Sequence, residues 1–301
     1  MAVTIPYVRD FAFEYGRVDQ VSPLIRRVIA RNPGPFTFTG TGVYIIGQGE
    51  VAVIDPGPEL AEHFEALKAA LAGERVTHVL VTHQHADHSP LARPLADLFG
   101  CEVLGSGITV TKVLPGEMRF DDEADAGFRP DRAVGAGDVI AGPGWTIEVI
   151  PTPGHTASHT AYLLREENAL FSGDHIMGWS TTVVSPPDGD MNAYLASLDT
   201  VTQLAPSIIW PTHGPPITEP LPFIAAYRAH RLDREDQIRA RLQAGQTRIA
   251  DMVPVMYAAV DQRLWPAAAH SVLAHMIRLV QTGEVTCTGE PGPGSEYRLA
   301  A

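Results

Sequence analysis

Seven side chains able to bind a metal recur at four places in the chain. The densest is THQHADHS, residues 82–89, which puts His83, His85, Asp87 and His88 within six positions. In an extended segment the two-residue spacing sends the His83 and His85 imidazoles to the same side. Asp87 and His88 come where the chain turns towards a helix, so they can address a second centre beside the first. Imidazole and carboxylate together suit zinc, and iron and manganese accept the same donors. TPGHT supplies His155, LFSGDH supplies Asp174 and WPTHG supplies His213. Any of these three alone reads as a loop-capping residue. Four convergent segments do not.

A metal centre needs these side chains gathered by rigid elements, and each segment follows a run with strand character. THVLVTH (77–83) is nearly continuous in apolar residues, as in a strand covered on both faces. Strands are also expected near 101–104, 145–150, 160–165, 168–171 and 207–210. The runs 36–47 and 51–55 should form a hairpin around Gly49-Glu50. Helices are expected over 59–71 and 191–204, and from Ser89 as N-cap, with Pro90 at N1, to Phe99. Residues 115–133 are polar and acidic and read as a long loop near a functional rim. GWSTTVVSPPDGD (178–190) either lines a substrate mouth or is a plain surface loop.

The character of the chain changes after PTHGPPITEPLP (211–222). Residues 1–220 carry 13 Lys+Arg against 27 Asp+Glu; residues 221–301 carry nine against eight. A long helical pattern covers 223–243, and further helical faces run through Ile249–Val260 and Ala269–Val280. Two β-like runs close the chain, Glu284–Thr288 and Glu296–Ala300. Helices followed by a two-stranded ribbon are a winged-helix layout. The expectation is a catalytic domain over 1–220 and a small winged-helix-like domain over 221–301. The 301 residues are 45% apolar with net charge −13, which argues against a chain-wide nucleic-acid surface. No run is long enough for a membrane helix, and the start lacks a secretory pattern. Two distant cysteines, Cys101 and Cys287, exclude a disulfide scaffold, and a reduced cytoplasm fits best.

HQHADH, GHT, SGD and PTHG, in that order, resemble the metallo-β-lactamase superfamily over about residues 36–220. The resemblance implies an α/β fold, the αββα sandwich, with a metal site on one edge. It implies His83, His85 and His155 at one metal, Asp87, His88 and His213 at the other, and Asp174 bridging. A carboxylate at that bridge is similar to thioesterase-like and nuclease-like members and unlike true β-lactamases. AHRLDREDQI (229–238), GDMNAYLASL (189–198) and the tail resemble the subgroup with an added winged-helix domain. That subgroup holds bacterial hydrolases of unassigned substrate and a mitochondrial β-lactamase-like endoribonuclease.

The activity this implies is hydrolysis of an ester-like or phosphodiester bond by a hydroxide held between two metals, zinc by preference, with iron or manganese as alternatives. Asp174 would fix the metal separation, and Asp87 would orient the hydroxide. The substrate is then either single-stranded RNA or a small ester, thioester or lactone, the last as in glyoxalase II. A non-hydrolytic oxidoreductase of the same fold is a further alternative; a nucleic-acid-binding regulator has no use for seven ligands. No G-x-S-x-G motif offers a serine nucleophile. His159 and His175 are candidates to protonate a leaving group, although neighbours of ligands more often serve as supports. Asp55 is either a turn residue or an acceptor that holds a ligand histidine. Arg228, Arg231, Arg234, Glu235 and Arg239 read first as a solvated helix face with an Arg231–Glu235 pair. Their sharper reading is an arginine set that holds an anion or locks the tail against the site. A homo-oligomer interface is another use for the tail.

Overall fold

The computed structural model describes residues 3–108 and 124–300. The first sheet opens as an antiparallel meander of Val18–Gln20 (β1), Ile25–Ile29 (β2), Gly42–Gln48 (β3) and Glu50–Ile54 (β4). Arg75–Leu80 (β5), Glu102–Gly105 (β6) and Arg132–Ala133 (β7) continue it in parallel. Ala61–Ala70 (α1) and Ala92–Phe99 (α2) make the crossovers. The second sheet holds Val139–Gly142 (β8), Trp145–Pro151 (β9), Thr160–Leu164 (β10), Ala169–Gly173 (β11) and Ile208–Pro211 (β12), ordered β12-β11-β10-β9-β8. Met191–Leu204 (α3) carries the chain from β11 to its parallel partner β12.

Alternation along the strands builds four layers. Tyr44 and Ile46 on β3 and Ile54 on β4 meet Ile147, Val149, Tyr162 and Phe171 between the sheets. Their neighbours Val43, Ile45, Val51 and Val53 point the other way, onto Leu67 and Leu95 of the helices. On the second sheet Ala161, Leu163 and Leu170 face Leu195 and Leu198 of α3. Strands buried on both faces must be apolar at nearly every position, which is why those runs lack polar alternation. The result is the αββα sandwich.

Pro220–Gln243 (α4), Ile249–Met256 (α5) and Trp265–Gln281 (α6) follow, with a ribbon of Val285–Cys287 (β13) and Tyr297–Leu299 (β14). Ile238, Met252, Val272, Met276, Val285 and Tyr297 form the core of this winged-helix unit. The boundary expected after residue 220 would fall at the head of α4, whose Phe223, Ile224 and Tyr227 pack into the core of α3 and the second sheet. No helix among the described residues is long and apolar enough to cross a membrane.

Four sequence readings change. The strand expected over 36–47 begins at Gly42, because Gly40 has φ +125° and a Cβ there would lie 2.1 Å from the Ala30 carbonyl oxygen. Helix α2 begins at Ala92 and not after Ser89. The Ser89 hydroxyl donates to Asp125 (2.9 Å), so it caps nothing. In the stretch read as the loop 115–133, Arg132–Ala133 pairs with β6; residues 115–123 lie outside the described residues. Arg231 and Glu235 do not sit on a solvated face. Glu235 is 1% exposed and takes Arg278 at 2.9 and 2.8 Å, with His275 at 3.2 Å and Arg239 at 3.5 Å. Burial raises the Glu235 carboxyl, but these partners outweigh it and hold it below the ordinary range.

His63 on α1 is buried and donates from Nε2 to the Pro56 carbonyl (3.0 Å). Burial pushes its pKa down to about 4. The unfolded imidazole titrates near 6.5, so acid protonates the unfolded chain first. Stability is then full above that value and falls as the pH drops to about 4, by roughly 3 kcal/mol from this group. Denaturant titrations across the window check it; His63→Gln should show a shallower acid loss.

Candidate metal centre

Every implied ligand sits just beyond a strand end. β5 runs on through Val81 and Thr82 to His83, and the Thr82 carbonyl accepts the Thr160 N–H (2.9 Å), tying the two sheets together at the site. His155 lies in the connection from β9 to β10, Asp174 directly after β11 and His213 two residues after β12. Gly173 lets the chain turn: its φ is +51°, and a Cβ would stand 2.6 Å from His159 Nε2 and 2.9 Å from Thr82.

The seven side chains converge. His85 Nδ1 lies 2.9 Å from His83 Nε2 and 3.2 Å from His155 Nε2. Beside them, His213 Nε2 is 3.0 Å from Asp87 and 3.4 Å from Asp174, and His88 Nε2 is 3.4 Å from Asp87 and 3.7 Å from Asp174. His83, His88 and Asp174 also fall within one coordination radius of each other, which puts Asp174 between the two groups. None of the seven is more than 8% exposed. Nitrogens bound tetrahedrally at zinc distances stand about 3.3 Å apart, close to the spacing of the first group. His88 Nε2 and Asp174 Oδ1 are buried with no hydrogen-bond partner. Such groups are costly unless something else satisfies them. The donor set fits divalent metal.

The outward nitrogens are held by the surrounding protein. His155 Nδ1 donates to the Val183 carbonyl (2.7 Å) and His213 Nδ1 to the Gly40 carbonyl (3.2 Å). His88 Nδ1 donates to Asp55 Oδ2 (2.8 Å). Asp55 also accepts the Thr82 N–H and hydroxyl, each at 2.7 Å, and the Thr212 hydroxyl at 3.2 Å. It sits at φ +48°, so it both turns the chain and accepts from His88, one of the candidate ligands. Thr82 and Thr212 were missed by the sequence reading, having no spacing that relates them to Asp55.

Charge differs across the cluster. Burial and the neighbouring His88, His85 and His155 hold His83 well below the ordinary imidazole range. Burial lowers His88 too, but Asp87, Asp55 and Asp174 outweigh it and raise it well above. His213 is likewise raised, by Asp174 and Asp87 against burial. Metal-free protein at neutral pH therefore holds protons where the second metal would bind. Metal uptake should expel about one proton or more per chain. Calorimetric titrations in buffers of different ionisation enthalpy measure this, and uptake without proton release would contradict it.

His159 and His175 are not placed as proton donors. His159 Nε2 accepts the Asp174 N–H (3.2 Å), and its Nδ1 meets Thr152 (2.8 Å). His175 is fully buried edge-on to Tyr194, and burial pushes it down to about 3. Both support the loop that carries Asp174.

A cavity of about 390 Å³ opens over His85, Asp87, His155, Asp174 and His213. Residues 179–183 line it, so the 178–190 segment does border the mouth. Tyr7, Phe36, Met177, Trp179, Tyr257 and Leu264 make most of its wall, with Arg231 and Arg234 from α4. Tyr7 and Tyr257 carried no signal in the sequence, since each is an isolated aromatic far from any ligand motif.

Residues 37–213 match the metallo-beta-lactamase superfamily model, and residues 249–293 match the beta-lactamase-associated winged helix domain. The chain belongs to the metallo-beta-lactamase superfamily of hydrolytic enzymes. Within it, the chain is 34% identical over 225 residues to a beta-lactamase-like protein 2 homolog of Caenorhabditis elegans, covering 73% of this chain and 72% of that protein. It is 34% identical over 233 residues to an atrochrysone carboxyl ACP thioesterase of Aspergillus fumigatus, covering 75% and 67%. A beta-lactamase domain protein from Burkholderia ambifaria shares the fold at TM-score 0.77 and 24% identity, over 98% of this chain and 97% of that one.

Proposed function

We propose that the protein is a dinuclear-metal hydrolase of thioesters or related activated esters, taking an apolar acyl group into the cavity. The observation that carries this reading is the cavity itself: five of the seven metal-capable side chains, His85, Asp87, His155, Asp174 and His213, floor it under walls that are largely aromatic and aliphatic. His83, His85 and His155 would hold one ion and Asp87, His88 and His213 the other, with Asp174 shared. Zinc suits this set, with iron or manganese as alternatives. Bound metal supplies Lewis acidity and a deprotonated water at neutral pH.

The chain's own groups do the rest. Asp87 and Asp174 face the cavity, where they would orient the attacking water. Asp55 keeps His88 aimed, and the Thr82 hydroxyl, 3.0 Å from His83 Nδ1, does the same for His83. With His159 and His175 committed to support, the leaving group departs without an imidazole acid. A thiolate can do so, its acid having a pKa of only ~8.5; a ribose oxygen leaves far less readily. The thioesterase relative supports the same class. Residues 1–220 form the catalytic domain in this reading, and residues 221–301 contribute a wall of its cavity. A reduced cytoplasm suits Cys101 and Cys287, which are not joined.

Metal-loaded protein should be assayed side by side on aryl and alkyl thioesters, lactones and single-stranded RNA. Thioesters should lead by about 10²-fold or more in kcat/KM. Cleavage of RNA without thioester turnover would replace this reading with the nuclease one.

A further inference from the structure

We propose that Arg231 and Arg234 bind an ionised carboxylate carried by the acyl group, so that the enzyme selects thioesters of acids with a second carboxylate. This rests on the thioesterase reading of the site. Arg231 is 2% exposed and lines the cavity that the metal-capable cluster floors. It donates to the Thr182 carbonyl and lies 5.0 Å over the Tyr194 ring, while its Nε has no partner. Arg234, three residues on and so on the same face of α4, donates to Gln237 (2.8 Å) and to the Met256 carbonyl (3.3 Å). It stacks 4.6 Å from the Tyr257 ring, and its Nε is also buried without a partner.

Among the described residues, no carboxylate forms an ion pair with either guanidinium. Three neighbouring arginines are paired: Arg228 with Asp199 (2.9 Å), Arg239 with Glu284 (2.7 Å) and Arg278 with Glu235 (2.8 Å). A cation drawn out of water with no counter-charge is costly; Arg231 is one, and the half-buried Arg234 stands beside it. Asp87 and Asp174 border the same cavity, but they are committed to His88 and His213. An anion delivered with the substrate satisfies the pair, and a carboxylate matches the flat guanidinium fork. The surrounding wall of Tyr257, Val260, Leu264 and Ala268 is apolar. It accommodates the carbon chain leading to a carboxylate.

The test uses the metal-loaded full chain and two thioesters that differ only at the far end of the acyl group, one a carboxylate and one its amide. The wild type should prefer the carboxylate by at least tenfold in kcat/KM, chiefly through KM. Arg231→Gln and Arg234→Gln should each erase most of that preference, while Arg231→Lys should keep part of it. Arg234→Gln leaves the Arg231–Thr182 contact intact, so it answers even if the Arg231 variants fold poorly. Direct titration with benzoate and with inorganic phosphate gives a readout independent of turnover. Benzoate binding that weakens in the Arg234→Gln variant at unchanged metal content supports the proposal, even if no thioester is cleaved and the function reading fails. Equal turnover of acid and amide by the wild type, or benzoate affinity untouched in the Arg234→Gln variant, would overturn it. Arginine-dependent binding of phosphate without benzoate would likewise overturn the carboxylate assignment.

Discussion

Asp174→Ala is expected to lose metal from at least the second group and to lower turnover by about 10³-fold, since the positioned charge it removes is worth several kcal/mol. Asp174 stands 3.4 Å from His213 and 3.7 Å from His88, and it joins His83 and His88 in one donor set. No other carboxylate in the cluster reaches both groups. Elemental analysis of gently purified protein, read beside kcat, checks both halves of the expectation. Asp174→Asn is the sharper comparison, because it keeps the shape while removing the charge. Full metal content and full turnover in both variants would remove Asp174 from the centre. A chelator should mimic the alanine variant, and re-added divalent metal should restore only the wild type.

The second large effect lies outside the candidate metal centre. Glu235→Ala should destabilise the protein by on the order of 3 kcal/mol, because Arg278 and His275 are left without their shared acceptor. Full burial of all partners would argue for more, but Arg278 keeps 21% of its side chain in contact with solvent, which softens the penalty. Glu235→Gln retains an acceptor oxygen and should lose less. Burial also holds His275 below the ordinary imidazole range, so that side chain stays neutral at pH 7 and cannot replace the missing charge balance. Denaturant midpoints of the two variants measure the difference. Equal midpoints for wild type and Glu235→Ala would mean that the cluster adds nothing.

The convergence of the candidate metal centre was legible because its signal is local. His83, His85, Asp87 and His88 share one turn of chain after an apolar run, and strand ends are where α/β sheets collect side chains. The layers were legible for a similar reason: a run apolar at every position fits burial on both faces. What stayed hidden depends on long-range closure. Asp55 meets Thr82, His88 and Thr212 only after β4, β5 and β12 have assembled. Helical spacing related Arg231 to Glu235, yet the two point into different interiors, one towards the cavity and one towards α6. Ser89 carried a sound capping signature, but Asp125, 36 residues away, claimed its hydroxyl. In each case tertiary packing outcompeted a correct local rule.

Helix α4 has 24 residues, and at 1.5 Å per residue it is a rod about 36 Å long. One end is set among Leu195 and Leu198, the other among Ile249 and Val272. Between them, Tyr227 accepts the Met177 N–H and donates to a carbonyl of the loop behind Asp174. An unbroken rod clamped at both ends allows no swing between the two units it joins. If the proposed thioester chemistry holds, the distance from the candidate metal centre to the arginine wall is a fixed gauge, and acyl chains should be sorted by length rather than by a closing jaw.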